Sequence, residues 1–309
     1  MRTTVVLVNW RTAEHTLNLL RILPLAANTD MRVVIVENGS RDGSADVIRA
    51  ALCADPGLAV AVELVEQPTN DGFTSGLNVG VERALRDSAV EALWLLNPDS
   101  RPGPDTFEEL KAVLHDSGAG VVSARMQFGK QLWVGDRKFP RAFWARPRDY
   151  RFPEPRHRRW WPSERYESGC ALFDANAVRE LIRRDGYFLD EGLFLYWDEY
   201  ECSRRLARDG VSIMIAGNTL VHHGKGWIEG SARNARVRQY YVARNAILVT
   251  RREVSGLKFW AMFVVRLSRD FAWFAREALH RQGPHLGSYI LGTIDGLRGR
   301  SGRWSQHSE

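Results

Sequence analysis

Short apolar runs alternate with helical stretches through the first 120 residues, and no other feature of the chain limits its fold as strongly. The runs are Thr3–Asn9, Arg32–Glu37, Val60–Glu66 and Ala92–Leu96. Ala13–Leu23, Asp46–Cys53, Phe73–Leu85 and Asp105–Leu114 carry helical spacing beside them. Runs this rich in β-branched residues suit strands buried on both faces, and regular alternation with helices implies a parallel sheet covered on both sides. Ligands of such sheets bind beyond the carboxyl ends of the strands, and the polar residues of this half collect there. They are Asn9-Trp10, the stretch from Glu37 and Asn38 to Ser44, Asn70-Asp71-Gly72-Phe73 with Gly76, Asn78 and Gly80 behind it, and Asn97-Pro98-Asp99. One such cluster is an ordinary capped turn; four at one sheet edge point to a nucleotide site. None is a Walker loop, and no Gly-x-Gly-x-x-Gly follows the first strand, so ATP hydrolysis and nicotinamide binding lose support.

Between Gln131 and Arg165 the alternation stops. This stretch holds four tryptophans, and from Arg137 to Arg165 ten Lys and Arg stand against three acids. It reads as a long loop or lid. Regular structure returns at Gly169–Phe173, in a helix around Glu199–Arg208, and in a strand Ser212–Ala216 that leads to His222 and His223. The three cysteines, Cys53, Cys170 and Cys202, have no paired spacing, which argues against a zinc cluster or disulfide framework and for a reducing compartment. The chain starts directly in a strand-like run, so no signal peptide is read, and a cytoplasmic location is expected.

Four segments, VVLVNW, VVIVENGSRDGS, NDGFTSGLNVG and LWLLNPDSRPGPDTFEEL, resemble in order the motifs of family 2 glycosyltransferases with the GT-A fold. SGCALFDANAVREL, YFLDEGLFLYWDEYECSRRLARDG, AGNTLVHHGKG and YYVARNAILVTRR resemble the acceptor-side half of the same family, so the similarity spans about residues 3–252. Its flavour is rhamnosyltransferase-like, with a WDEYE segment similar to galactofuranosyltransferases. The resemblance implies a nucleotide-diphospho-sugar transferase on a Rossmann-like α/β domain, and it assigns roles by position. Asn9 and Glu37 line the nucleoside pocket, with Asn38 and Asp71 beside them, and Asn78 approaches the ribose or diphosphate. Asn97-Pro98-Asp99 stands where relatives carry an Asp-x-Asp metal motif, its first carboxylate replaced by an amide. Asp99 is the implied metal ligand for Mn²⁺ or Mg²⁺; His222 matches the histidine that relatives use near the metal, and His223 is its rival.

The chemistry fits these roles. A sugar leaves as a nucleoside diphosphate, and a hard cation on carboxylate and phosphate oxygens stabilises the charge that develops there. An acceptor hydroxyl has a very high pKa, and a nearby carboxylate can take its proton as the new bond forms. Asp198-Glu199-Tyr200-Glu201 supplies three carboxylates. On a helix Asp198 and Glu201 share a face, and Glu201 reaches Arg205 at the i,i+4 spacing. Glu199 points elsewhere, and the resemblance places it where relatives carry the catalytic acid residue. An acidic helix N-terminus is the alternative for these carboxylates. Trp197 and Arg205 are expected near the acceptor. The Trp/Arg-rich stretch, with Trp144, Arg158, Arg159, Trp160 and Trp161, suits an acceptor surface, because tryptophan faces stack on sugars and arginines pair with diphosphates. A satellite hydrophobic cluster explains it equally well.

Charge divides the chain. Residues 226–309 carry 14 Lys and Arg against 6 acids, whereas the first 225 residues carry 29 against 31. Between Gly256 and Arg281, Trp260, Phe263, Val264, Leu267, Phe271 and Phe274 fall on one helical stripe, with Lys258, Arg269 and Arg276 opposite. No apolar run reaches the length of a membrane span. A basic amphipathic helix suits an anionic membrane surface such as the inner face of a plasma membrane; packing on the chain's own core or on a second copy is the alternative. The expected organisation is a catalytic domain over 1–225, made of a nucleotide-sugar half (1–120) and an acceptor half (121–225, with the loop 131–165), and a helical extension over 226–309. The expected activity is inverting, metal-dependent hexosyl transfer from a dTDP- or UDP-sugar to a glycan, lipid-linked or natural-product hydroxyl. A nucleotidyltransferase lacks its Gly-rich basic loop here; a sugar- or nucleic-acid-binding protein with weakened catalysis is the rival of another class.

Overall fold

The computed structural model describes residues 1–25, 30–128, 131–133, 158–224, 232–279 and 285–305; Trp144 lies outside them. In chain order come β1 (Thr3–Asn9), α1 (Ala13–Ile22), β2 (Met31–Asn38), α2 (Ser44–Ala54), α3 (Pro56–Ala61), β3 (Val62–Gln67), α4 (Phe73–Leu85) and β4 (Ala92–Leu96). Next are β5 (Ser100–Arg101), α5 (Thr106–Ser117), β6 (Val121–Phe128), β7 (Gln131–Trp133), β8 (Trp160–Ser163) and β9 (Cys170–Asp174). Then follow α6 (Ala175–Asp185), a 3-10 turn (Glu191–Leu193), α7 (Asp198–Arg208), β10 (Ile213–His223), α8 (Ala232–Glu253), α9 (Gly256–Leu279) and α10 (Leu286–Leu297).

The strands join one sheet in the order β3-β2-β1-β4-β9-β6-β10-β5, with β7 beside β6 and β8 beside β10. β3, β2, β1 and β4 are parallel, as the alternation predicts. The uniformly parallel sheet ends there. β9 runs antiparallel to both β4 and β6, and β10 is parallel to β6. The pleat sends successive side chains to opposite faces, so each central strand feeds two cores. Val5, Leu7, Trp94, Leu96, Cys170 and Leu172 enter one apolar cluster. Val6, Val8, Leu93, Leu95, Ala171 and Phe173 enter the other. Trp94 tilts onto Phe107 of α5 at 5.1 Å, and Phe173 meets Tyr166 and Phe188 edge-on. Burying one such side chain is worth about 1.5–3 kcal/mol.

The Trp/Arg-rich stretch does not stay irregular to its end. Trp160 and Trp161 lie in β8, opposite Ala216 and Ile215 of β10. Trp161 is buried, and Trp160 packs against the first cluster. The Trp161 ring therefore serves the core, and Trp160 is partly buried beside it, as the satellite-cluster alternative expects.

The chain divides into two compact units. The first holds the sheet, α1–α6 and α7 from Glu199 onward; the second holds Gly192–Asp198 and α8–α10. In the second unit Tyr240 of α8 stacks on Trp304 at 4.2 Å and donates to Asp295 Oδ2 of α10 at 2.8 Å. Gly292 permits that close approach, since a Cβ there would stand 2.3 Å from the Tyr240 carbonyl oxygen. α9 divides the predicted stripe between two faces. Phe263 and Phe274 are buried with Phe259 and Met262, whereas Leu257, Trp260, Val264, Leu267 and Phe271 are exposed. Among the described residues no helix is long and apolar enough to cross a membrane.

Candidate active site

β4 ends in a tight turn in which the Ser100 amide donates to the Asn97 carbonyl at 3.0 Å. β5 then pairs antiparallel with the end of β10, setting Ser100 opposite His223 and Arg101 opposite His222. That register turns the two histidines to opposite faces. His223 stands with Nε2 3.4 Å from Asp99 Oδ1 and 3.0 Å from the Asn97 amide nitrogen. His222, on the opposite face of the strand, is exposed and stands apart from Asp99 and Asn97 in this pairing. Gly169 leaves room for the ring: a Cβ there would lie 2.9 Å from His223 Cδ2. The Gly169 carbonyl in turn accepts from Ser100 Oγ at 2.6 Å and from the Asn97 amide at 3.4 Å.

These residues fit a divalent cation. The Nδ1–H of His223 donates to the Gly224 carbonyl at 3.0 Å, which leaves Nε2 to accept from the Asn97 amide nitrogen at 3.0 Å; metal-binding histidines commonly have their other ring nitrogen held by a carbonyl in this way. Asn97 Oδ1 is buried and has no hydrogen-bond partner among the described residues, and amide oxygens are good ligands for hard cations. Among the described residues no three His, Cys, Asp or Glu side chains converge. A carboxylate, an imidazole and an amide oxygen suit an ion whose remaining ligands are substrate phosphates.

Glu199, in the second position of α7, belongs to the same first unit. Its Oε1 accepts from the Ser168 amide at 2.7 Å and from Ser168 Oγ at 2.6 Å. Ser168 directly precedes Gly169, so one short segment anchors the carboxylate and cradles His223. Burial pushes the Glu199 carboxyl above the ordinary carboxylate range, and the negative Glu167 adds to it; Arg165 and the two Ser168 bonds partly oppose the rise. Arg165 also pairs with Glu167 at 3.2 Å. Ser168, Glu167 and Arg165 escape a reading of the sequence, although the SGC segment that carries Ser168 is itself one of the resembling motifs. Trp197 and Asp198 lie in the second unit; Trp197 has a backbone φ of 71° and Asp198 is buried.

At the other strand ends, Asn9 and Glu37 face each other across β1 and β2. Asn9 is fully buried; its Oδ1 accepts from Thr12 and Thr16 at 3.0 and 2.9 Å, and its amide nitrogen has no partner among the described residues. Glu37 Oε1 accepts from the Ser40 amide at 3.0 Å. Asp71 is exposed and accepts from Thr69.

Three predicted ligand-binding residues are occupied by the fold. The amide nitrogen of Asn38 donates to Asn70 Oδ1 and the Gly72 carbonyl, closing the loop before α4. Asn78 donates to the Leu189 carbonyl at 2.8 Å and to Glu191 Oε1 at 3.1 Å, and its Oδ1 accepts from the Leu189 amide at 2.9 Å. It ties α4 to the segment after α6 rather than reaching a ribose. Arg205 makes a two-pronged pair with Glu201 at 2.9 and 3.0 Å, bonds Asp185 at 3.2 Å and donates to the Phe188 carbonyl. It is buried, and its donors are engaged within the fold.

Known proteins place the arrangement in context. The family model described as Glycosyl transferase family 2 matches residues 10–182. The low-salt glycan biosynthesis hexosyltransferase Agl10 of Haloferax volcanii is 19% identical over 306 residues, 97% of this chain and 92% of that one. The N-acetylglucosaminyl-diphospho-decaprenol L-rhamnosyltransferase of Mycobacterium tuberculosis is 25% identical over 248 residues, 71% of this chain and 75% of that one. Among solved structures, the mannosyltransferase PcManGT from Pyrobaculum calidifontis, in complex with GDP-Man and Mn²⁺, superposes with a TM-score of 0.60 at 17% identity, covering 96% of this chain and 87% of that one. S. aureus TarS in complex with UDP-GlcNAc gives 0.55 at 14% identity, covering 97% and 82%. The chain belongs to glycosyl transferase family 2 and is a glycosyltransferase with the GT-A fold.

Proposed function

We propose that the chain transfers a hexosyl group, such as rhamnose or galactofuranose, from a dTDP- or UDP-sugar to an acceptor hydroxyl, with inversion at the anomeric carbon. The observation that carries this reading is the shared 168–169 segment, in which Ser168 anchors a carboxylate of raised pKa and Gly169 makes room for the ring of His223, itself paired with Asp99. Glu199 takes the acceptor proton while the acceptor oxygen bonds to the anomeric carbon. The bond from that carbon to the diphosphate breaks, and its electron pair leaves with the nucleotide. Asp99 and His223, with Asn97 Oδ1 beside them, would hold Mn²⁺ or Mg²⁺, which supplies positive charge to the departing diphosphate. Asn9, Glu37 and Asp71 serve the donor side. A raised pKa keeps Glu199 a better proton acceptor than an ordinary carboxylate, at the cost of a smaller ionised fraction in acid.

The catalytic part is residues 1–225 without 192–198, which cluster with the helical extension. A lipid-linked glycan is the favoured acceptor. The rhamnosyltransferase relative is named for a diphospho-decaprenol acceptor, and α9 exposes Leu257, Trp260, Val264, Leu267 and Phe271 within a segment of net positive charge. That face suits shallow insertion into the anionic cytoplasmic leaflet of a membrane.

A thermal-shift screen of dTDP-rhamnose and UDP-galactofuranose, with and without Mn²⁺, tests the donor and metal together, since binding to the folded state raises its apparent stability. A metal-dependent upward shift is expected. It should disappear in Asp99→Ala and His223→Ala and persist in His222→Ala. Full turnover in excess chelator, or loss of the shift only in His222→Ala, contradicts the assignment.

A further inference from the structure

The segment that leads into Glu199 has a strained backbone. Phe194, Tyr196 and Trp197 have φ values of 64°, 66° and 71°, a left-handed conformation that bulky L-residues rarely adopt. Three such residues within four positions persist only where the surroundings over-determine them. What holds them lies in the same unit, on α8, and consists of two consecutive buried side chains.

The amide nitrogen of Asn245 donates to the carbonyls of Leu193, Leu195 and Tyr196 at 2.8, 2.8 and 2.9 Å. Arg244 donates through Nη2 to the carbonyls of Leu193 and Gly192 at 2.9 and 3.1 Å, and through Nη1 to that of Gly302 at 2.5 Å. The Gly302 amide closes the ring by donating to the Gly192 carbonyl at 2.7 Å. Arg244 Nε donates to Asn245 Oδ1 at 2.9 Å, which turns the NH₂ of Asn245 toward the segment. Phe194 stacks on Tyr241 at 5.1 Å, and the guanidinium lies 4.8 Å above the same ring. Arg244 is 1% exposed and Asn245 0%.

This is costly chemistry for packing alone. Among the described residues the buried guanidinium makes no hydrogen bond to a carboxylate, and a buried charge without a direct counter-ion is expensive. The polar groups that Arg244 and Asn245 turn toward the segment are donors, and its carbonyls are what they grip. Asp at 245 would place carboxylate oxygens against those carbonyls, and Lys at 244 would lose the planar fork.

We infer that Arg244 and Asn245 are positioning residues for the transfer reaction: by clamping the carbonyls of 192–196 they hold the strained turn that sets where α7 begins, and hence where Glu199 presents its carboxylate. The inference rests on the reading of Glu199 as the base. Neither residue is assigned a contact with substrate.

The test is a double-mutant cycle on the full chain, with release of UDP or dTDP from UDP-galactofuranose or dTDP-rhamnose as the readout. Displacing a reacting group by about 1 Å costs on the order of 10²-fold. Asn245→Ala should therefore lose kcat on that scale, with donor KM within about twofold. In the Glu199→Gln background the same substitution should cost less than about threefold, because coupled residues are not additive. Wild-type kcat in a folded Asn245→Ala, or an undiminished loss on top of Glu199→Gln, overturns the inference. Should Asn245→Ala fail to fold, Arg244→Lys carries the same comparison: a kcat loss at constant KM supports the clamp, and unchanged kcat refutes it. Near-normal kcat in Glu199→Gln alone would instead remove the base assignment beneath it, so the two failures are distinguishable.

Discussion

Glu199 couples stability to chemistry at the level of one carboxyl. Its pKa is raised in the folded state by burial and by Glu167, so the folded chain holds that proton more tightly than the unfolded chain does. Stability from this group is then full below the ordinary glutamate pKa, declines as pH rises through the folded value, and stays reduced above it. Glu199→Gln removes the titration yet keeps an oxygen to accept both Ser168 bonds. At neutral pH its melting temperature should equal or exceed that of the wild type, and the gap should close in acid. A clear drop in melting temperature at neutral pH would mean that the ionised carboxylate stabilises the fold. Asp99 and Glu199 stand out in the sequence as candidates because each sits inside a segment that resembles an ordered family motif. That His222 and His223 turn to opposite faces beside β5 is not legible there, because it depends on the register of β10 against the two-residue β5, and no local pattern announces a strand that short.

Elements differ in how openly they are written. β1 to β4 read directly, since each is a short, nearly continuous apolar run between helical spacings. β6 does not, because Ser123, Arg125 and Gln127 interrupt its apolar positions. Ser123 Oγ is there to accept the Glu167 amide at 3.0 Å, and Arg125 donates to the Gly217 carbonyl at 3.0 Å. The antiparallel insertion of β9 between β4 and β6 is a long-range pairing that no spacing encodes. Arg205 illustrates the same limit in α7: its i,i+4 partner is visible in the sequence, but the carbonyl and Asp185 that complete its burial are not. Arg205→Ala removes the two-pronged bond to the buried Glu201 carboxylate and should cost about 3–5 kcal/mol of stability, measured by denaturant unfolding, with donor KM unchanged. A raised KM in a fully stable variant would return Arg205 to the substrate. α9 has apolar residues on both faces, so spacings of three and four describe both and separate neither. Replacing Trp260 and Phe271 with serine together tests the exposed face. A buried aromatic is worth about 1.5–3 kcal/mol, so binding to phosphatidylglycerol vesicles should weaken by at least about tenfold while the fold is retained. Unchanged vesicle binding, or a shift from oligomer to monomer instead, would make the face a contact with something other than lipid.

At the scale of the whole chain, the central claim is that one GT-A scaffold brings a carboxylate base to a site whose donor-side groups lie on other strand ends. If that division of labour holds, chemistry and donor binding should separate under a single substitution. The measurement is turnover and donor-induced thermal shift of Glu199→Gln beside the wild type, with the nucleotide sugar that stabilises the wild type. The account predicts a fall in kcat of about 10²–10⁴-fold with the thermal shift preserved. Near-normal kcat would contradict it, and so would loss of the shift, which would make Glu199 a ligand of the donor rather than the acceptor of the proton.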